Sequence, residues 1–289
     1  MKAQLTNNMM SSFLAFLDNR VLISGEAFTN HGSNLYPLGQ DTVDGFTIWG
    51  APFKQMVCDA SVAGATQFTG VKIDGSAFFG VNSNGIKFFQ HHQGQVYFEK
   101  PSSSTPASVL NGSAVVSGNY SVKDFNMYLT SEPEEELLFQ TKFELSPKTT
   151  QTVTGLASEA QTYPAIFLKD NGGKNIPFAM GGIDSTVLEV RAIVLADSAF
   201  KLDAVCSIMK DCFNDKVSLM DSSDFPFNAI GACIGTYNYE TLAESAEDAF
   251  FIDEVNVSKS IPNRGDYEDI NSDVFSAFAD FKLSYVRPT

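Results

Sequence analysis

Three features of the sequence predict an α+β fold, mostly antiparallel β-sheet with one or two packed helices. Short runs of alternating apolar and polar residues, separated by Gly and Asn turns, recur from Phe46 onward. Two segments, 11–23 and the one that follows Ser198, instead carry apolar residues at spacings of three and four. The chain also holds 25 phenylalanines, and aromatic rings favour half-buried strands.

The elements follow in order. Ser11 to Ile23 is predicted to be a short amphipathic helix. Phe13, Phe16, Leu17, Arg20 and Val21 fit its period, Ser11 or Ser12 can cap it, and Gly25 stops it. Residues 27–46 carry turn residues throughout and read as a loop that holds His31. "FTIWG" and "QMVCDASV" are short strand candidates. "GVKIDGSAFFGVNSNGIKFFQHHQGQVYFEK" reads as a meander that turns at Gly75, at Asn84–Gly85 and at Gln93–Gly94. The Ser-, Pro- and Gly-rich stretch 101–119 reads as a long loop inside one domain, because strand texture resumes at once in "YSVKDFNMYLT". Its expected partner is "ELLFQTKFEL", reached through the acidic turn "SEPEEE". "TYPAIFL" precedes a hairpin turn at Gly172–Gly173, and "STVLEVRAIVLAD" has the Val, Ile and Leu content of a central strand. Ser198 then caps a helix with Leu202, Val205, Cys206, Met209, Cys212 and Phe213 on one stripe, ending near Asn214. "GACIGTYNYETL", "AFFIDEVNVSKSI" and "VFSAFADFKLSYVRP" read as further strands. In the last, Phe275, Phe278 and Phe281 break alternation, which predicts a bulge or bend near Ala277–Ala279. The whole chain, 1–289, reads as a single β-rich domain.

The net charge of −15 argues against a protein that grips nucleic acid or an anionic membrane, both of which need clustered Lys and Arg. An acidic surface instead lets DNA pass without sticking. The N-terminus lacks the pattern of a secretory signal and no stretch reaches transmembrane length, so a soluble chain made in a cytosol is expected.

Motifs of chemistry are scarce. No GxSxG, HExxH, Walker loop or GxGxxG occurs. Cys58, Cys206, Cys212 and Cys233 form no CxxC, so no zinc site or disulfide is expected, and Cys206 and Cys212 read as buried helix thiols. A nucleophilic triad would have to draw on His31, His91 or His92. His91 and His92 stand at a strand end, where neighbours point to opposite faces and cannot easily share a metal. They read as a structural or solvent-facing pair. Asp269, Asn271, Asp273 and Asp280 have calcium-loop spacing, but Val274 replaces the required Gly and the bidentate Glu is missing. Arg264–Asp266 spells RGD and reads as a turn. No catalytic, cofactor-binding or metal-ligating residue is assigned, and no enzyme activity is expected.

Several phrases in order along the chain carry a resemblance: "SSFLAFLDNRVLISGEAFTN", "GAPFKQMVCDASVAGA", "GQVYFEK", "YSVKDFNMYLTSEPEEELLF", "TYPAIFL" and "RAIVLADSAFKLDAV". In these the chain resembles virion structural proteins of tailed bacteriophages, of the neck or tail, and is similar to ring-forming tail-completion and tail-terminator proteins. The resemblance implies a virion location after synthesis in the host cytoplasm. The implied partners are copies of itself in a ring, expected to number six, neighbouring neck and tail proteins, and DNA that passes without specific binding; no membrane is implied. It carries no site residues across. A cyclic ring needs two different complementary patches on each subunit, and the N-terminal helix and the 101–119 loop are candidates. The second reading is a tail-tip or fibre-associated module that binds a host receptor or glycan through aromatic loops such as "GTYNYETL".

Overall fold

The computed structural model of the chain describes residues 5–38, 45–76, 78–100, 114–134, 163–177, 184–229, 231–260 and 274–287. It is mostly antiparallel β with packed helices, as the sequence predicts. Along the chain come helix α1 (Leu5–Ser24) and strands β1 (Phe28–Pro37), β2 (Phe46–Gly50), β3 (Val71–Ile73), β4 (Phe78–Phe79), β5 (Ile86–Gln90), β6 (Gln95–Glu99), β7 (Val116–Lys123), β8 (Asn126–Thr130), β9 (Ala165–Pro177) and β10 (Asp184–Ala196). Helix α2 (Ala199–Asp211), β11 (Lys216–Leu219), helix α3 (Tyr239–Ser245), β12 (Asp248–Ser260) and β13 (Phe275–Val286) complete it.

The first sheet has the order β4-β3-β7-β1-β2-β6-β5. Its core gathers rings from most of these strands: Phe68 meets Phe89 and Tyr120 edge-on at 4.9 and 5.5 Å, geometries that aromatic quadrupoles favour. β1 joins the two halves, pairing with β7 from Phe28 to Leu35 and with β2 at Tyr36 and Pro37. This corrects the loop expected at 27–46. The turn-forming side chains are consumed by tertiary partners instead: Thr29 donates to Asp124, Asn30 donates to the Gly64 carbonyl at 3.0 Å, and Ser33 bonds the Tyr120 hydroxyl. "QMVCDASV" in turn is no strand. Its backbone is divided between isolated pairings, Met56 with Val122 and Asp59 with Tyr237. The Asn84–Gly85 turn forms, with both φ angles positive, yet β4 pairs with β3 and β5 with β6. The turn therefore links the two outer strands of the sheet rather than a hairpin.

Of the predicted 101–119 loop, residues 101–113 lie outside the described residues and 116–119 belong to β7. "YSVKDFNMYLT" splits at Asp124–Phe125 into β7 and β8, which sit in different sheets. The partner expected at 136–145 lies outside the described residues; β8 pairs in parallel with β9.

The second sheet has the order β11-β12-β13-β10-β9-β8. β10 is central, as its Val, Ile and Leu content predicts, with β9 and β13 on its two sides. Gly172–Gly173 is not a turn. Both lie within β9, where the register slips opposite Glu189 and Gly172 adopts φ 93°, the left-handed conformation of a glycine bulge. β13 keeps an unbroken register on β10, so the bulge expected at Ala277–Ala279 is absent; the slip lies on β12, between Ile252 and Glu254. Ala277 and Ala279 face inward with Ala192 and Ala196, where α2 crosses the sheet. Small residues there let the helix backbone approach, and Phe278 turns to the other face.

Helix α1 is longer than predicted and is not amphipathic. From Met9 to Asn19 every residue except Ser11 is buried, the pattern of a helix enclosed on all sides. It lies against β8, β11, α2 and α3. Ser12 is an interior residue that receives the Met220 amide at 2.9 Å, not a cap. α2 starts as predicted: Ser198 accepts from the Lys201 amide. Its stripe buries Leu202, Val205, Cys206, Met209 and Cys212, but Phe213 is exposed, because the helix ends at Asp211 and Asn214 at φ 64° redirects the chain. "GACIGTYNYETL" holds α3 rather than a strand. Asn238 caps it, its side chain accepting from the Thr241 amide at 2.9 Å.

Candidate functional site

The densest cluster of buried polar groups lies where α1 meets β7 and the segments 51–61 and 231–239. Asp18 and Lys123 pair there, with Nζ 2.5 and 2.6 Å from the two carboxylate oxygens and both side chains nearly buried. Burial pushes the Asp18 carboxyl above its ordinary range, and Lys123 pulls it back only in part. Burial works against the charge on Lys123, but Asp18 wins and holds the ammonium above its usual value. Neither residue drew notice as a sequence motif. The signal was present: Leu14, Asp18 and Leu22 share one face at helical spacing, and a carboxylate on an apolar face needs a partner.

Asp59 is fully buried beside this pair. It accepts from the Asn19 side chain at 2.9 Å, from the Ser61 amide at 2.9 Å and hydroxyl at 2.7 Å, and from the Tyr239 amide at 3.0 Å. Four donors stabilise a buried carboxylate without a cation. They tie α1 to the first residue of α3. A cavity of about 20 Å³ borders Asp18, Gln55, His92, Lys123, Phe227 and Cys233. That is room for one water molecule.

His91 and His92 occupy the turn after β5, as predicted, and Gly94 at φ 64° closes it. His91 is 4% exposed and its Nε2 bonds the Phe68 carbonyl at 3.0 Å. Half-buried His92 borders the small cavity, and its amide donates to the Cys233 carbonyl. Burial lowers the pKa of both rings, so neither is charged near neutral pH. His31 stands apart on β1, stacked on Phe53 at 4.1 Å. The described structure does not converge the three histidines on a nucleophile. Among the described residues no group of three His, Cys, Asp or Glu is placed to hold a metal.

All four cysteines are free and buried. Burial raises the Cys58 thiol well above its ordinary value and Cys212 to about 12; such thiols stay protonated and unreactive. The Tyr237 hydroxyl is buried with no hydrogen-bond partner among the described residues. The aromatic loop proposed for glycan contact is thus largely interior, since Tyr237 is buried and Tyr239 half-buried. The calcium-like stretch up to Asp273 and the RGD tripeptide lie outside the described residues. Asp280 is held in mid-strand by Arg191, whose Nε and Nη2 reach its two oxygens at 2.6 and 3.0 Å.

The junction therefore acts as a clamp. Asp18, Lys123 and Asp59 spend their hydrogen bonds inward, fixing α1 to the first sheet and to α3. No helix among the described residues is long and apolar enough to cross a membrane. No protein-family model matches the chain and no curated protein matches it.

Proposed function

We propose that this chain is a structural subunit of a tailed-bacteriophage particle, assembling as a ring, expected to hold six copies, at the neck or tail, and acting without catalysis. DNA passes through the ring, and neighbouring neck and tail proteins stack on it. The observation that carries this reading is the set of large apolar side chains left in solvent on a strongly acidic chain. Phe200 is 90% exposed, and Phe78, Phe213, Phe251 and Phe275 are also exposed. Large exposed apolar groups are informative where single small ones are not, and copies packed in a ring would cover them. The phrase-level resemblance to virion proteins supports the same reading. The net charge of −15 suits a lumen that repels passing DNA.

A second reading, a tail-tip module that binds a receptor or glycan, is favoured by one cluster. Phe46, Phe88 and Tyr97 lie together on the first sheet, with Phe88 stacked on Tyr97 at 4.3 Å and Gln90 and Gln95 bonded to the Tyr97 hydroxyl. Tyr97 is buried and Phe46 and Phe88 are half-buried, so the two phenylalanine rings are the part of the cluster that a sugar or a peptide would reach. Gold-labelled antibody on purified particles separates the two. Label at the capsid–tail junction is expected; label at the distal tip selects the second reading, and particles without the protein refute both.

A further inference from the structure

Two strands of the second sheet are each left open along half of one edge. On one side, β11 pairs only with Asp248–Phe251 of β12, and Asn214 and Asp215 take the backbone groups of Ile252. Past the bulge at Asp253, residues Glu254 to Lys259 pair with β13 alone. On the other side, β8 pairs only with Ala165–Lys169 of β9. Residues Asp170 to Pro177 then pair with β10 alone and are exposed. Neither half-edge has a backbone partner on its open side among the described residues. A row of unpaired N–H and C=O groups is a template for another strand.

The two half-edges fit each other. β9, β10, β13 and β12 alternate in direction, so two copies in the same orientation bring β12 of one antiparallel to β9 of the next. The open lengths match: 253–259 on β12, and 170–177 on β9 with one extra residue in the bulge opposite Glu189. With Asn256 set opposite Lys174 of the next copy, the faces agree. Val255 and Val257, packed against the core under the helices, meet Asn175 and Gly173, and Gly173 opposes core residue Leu188. The charges agree in the same register. Lys259, already beside Asp203, meets Asp170, and Lys174 lies diagonal to Glu254, within reach for long side chains. Each half-edge carries both signs, and this register opposes no like charges. Asn256 is level with Arg191 through Asp280, whereas Lys174 is level with Val187. Successive copies therefore step by about four residues, about 13 Å, over four strands spaced about 4.8 Å apart. That is a strand tilt of about 35°, the tilt of sheets that close on themselves. Such a contact is head to tail, which forms a ring when the rotation closes.

We propose that the open half of β12 in one copy of this chain pairs as an antiparallel strand with the open half of β9 in a second copy, joining their sheets head to tail. This rests on the ring reading above and names its interface. The test uses full-length chains with one new cysteine, Asn256→Cys or Lys174→Cys, at exposed positions. The four native thiols are buried, and unchanged thermal melts check folding. Copper phenanthroline is the oxidant: two opposed thiols release two protons, pass two electrons to copper and form one S–S bond. The equimolar mixture is expected to give chain pairs linked from 256 to 174. Their yield should exceed by about tenfold or more that of either variant alone, or of Lys174→Cys mixed with Glu189→Cys, because only directly opposed residues reach disulfide geometry. Light scattering of wild type runs in parallel. Wild type that assembles while the mixture stays unlinked overturns this interface and leaves the ring reading standing. Asn256→Cys linked to itself as readily as in the mixture overturns the head-to-tail pairing in favour of a two-fold one. A wild type that is monomeric throughout overturns both.

Discussion

Replacing Lys123 by Met removes one charge from the buried junction and leaves the other. The attraction it forfeits is large: unit charges about 2.6 Å apart at an effective dielectric of about 20 attract by about 6 kcal/mol. Desolvation of the two ions offsets most of this, so the pair's net contribution is small. The single variant nevertheless loses about 3–5 kcal/mol, because Asp18 stays buried without a counter-charge. The Met side chain fills the space of the lysine stem, so little of the loss comes from packing. Asp18 supplies a further check. Its pKa is already raised by burial, and without Lys123 it rises again. A raised carboxyl pKa contributes stability that is present at low pH and lost as pH rises through the folded value. The deficit of Lys123→Met is therefore larger at pH 8 than at pH 5. The double variant Asp18→Leu/Lys123→Met recovers most of the loss, since neither charge remains. Urea unfolding followed by the fluorescence of Trp49, the single tryptophan and a buried one, reads all three proteins. A cost below about 1 kcal/mol at both pH values would refute the clamp.

Other perturbations probe the same junction. Burial lowers the pKa of His91 and His92 below the ordinary 6.5, so their contribution is fully present above that value and is lost as pH falls through the folded values; the melting temperature should drop between pH 7 and 5, less steeply in His91→Gln, and equal slopes would contradict the assignment. Tyr237→Phe deletes a buried hydroxyl that has no partner among the described residues, so calorimetry should find the melting temperature unchanged or raised, and a loss above about 1 kcal/mol would reveal a bonded hydroxyl. Gly94→Ala places a Cβ 2.3 Å from the Phe53 carbonyl at a positive φ, so the chain should lose about 2 kcal/mol or more, while wild-type stability would show that the turn relaxes freely.

Much of this architecture is legible locally. The fold class, the central strand β10 and the Ser198 cap follow from alternation, composition and one hydroxyl. Features set by distant partners are not. β1 looks like loop because Thr29, Asn30 and Ser33 favour turns, and only β7 and the 64–68 segment give those side chains other work. α1 looks amphipathic because Asp18, Asn19 and Arg20 break its apolar run, yet Asp18 and Asn19 face Lys123 and Asp59 in the interior. The Gly172–Gly173 bulge reads as a turn because glycine serves both. The polar junction was hidden for the same reason: its members come from residues 18, 19, 59, 123 and 239, and no local pattern links them.

The mass of the purified protein, measured by light scattering across a range of concentrations, tests the ring assignment most directly. The account predicts a discrete closed assembly, six times the 31.4 kDa of one chain. A single species of one chain's mass at every concentration would contradict it.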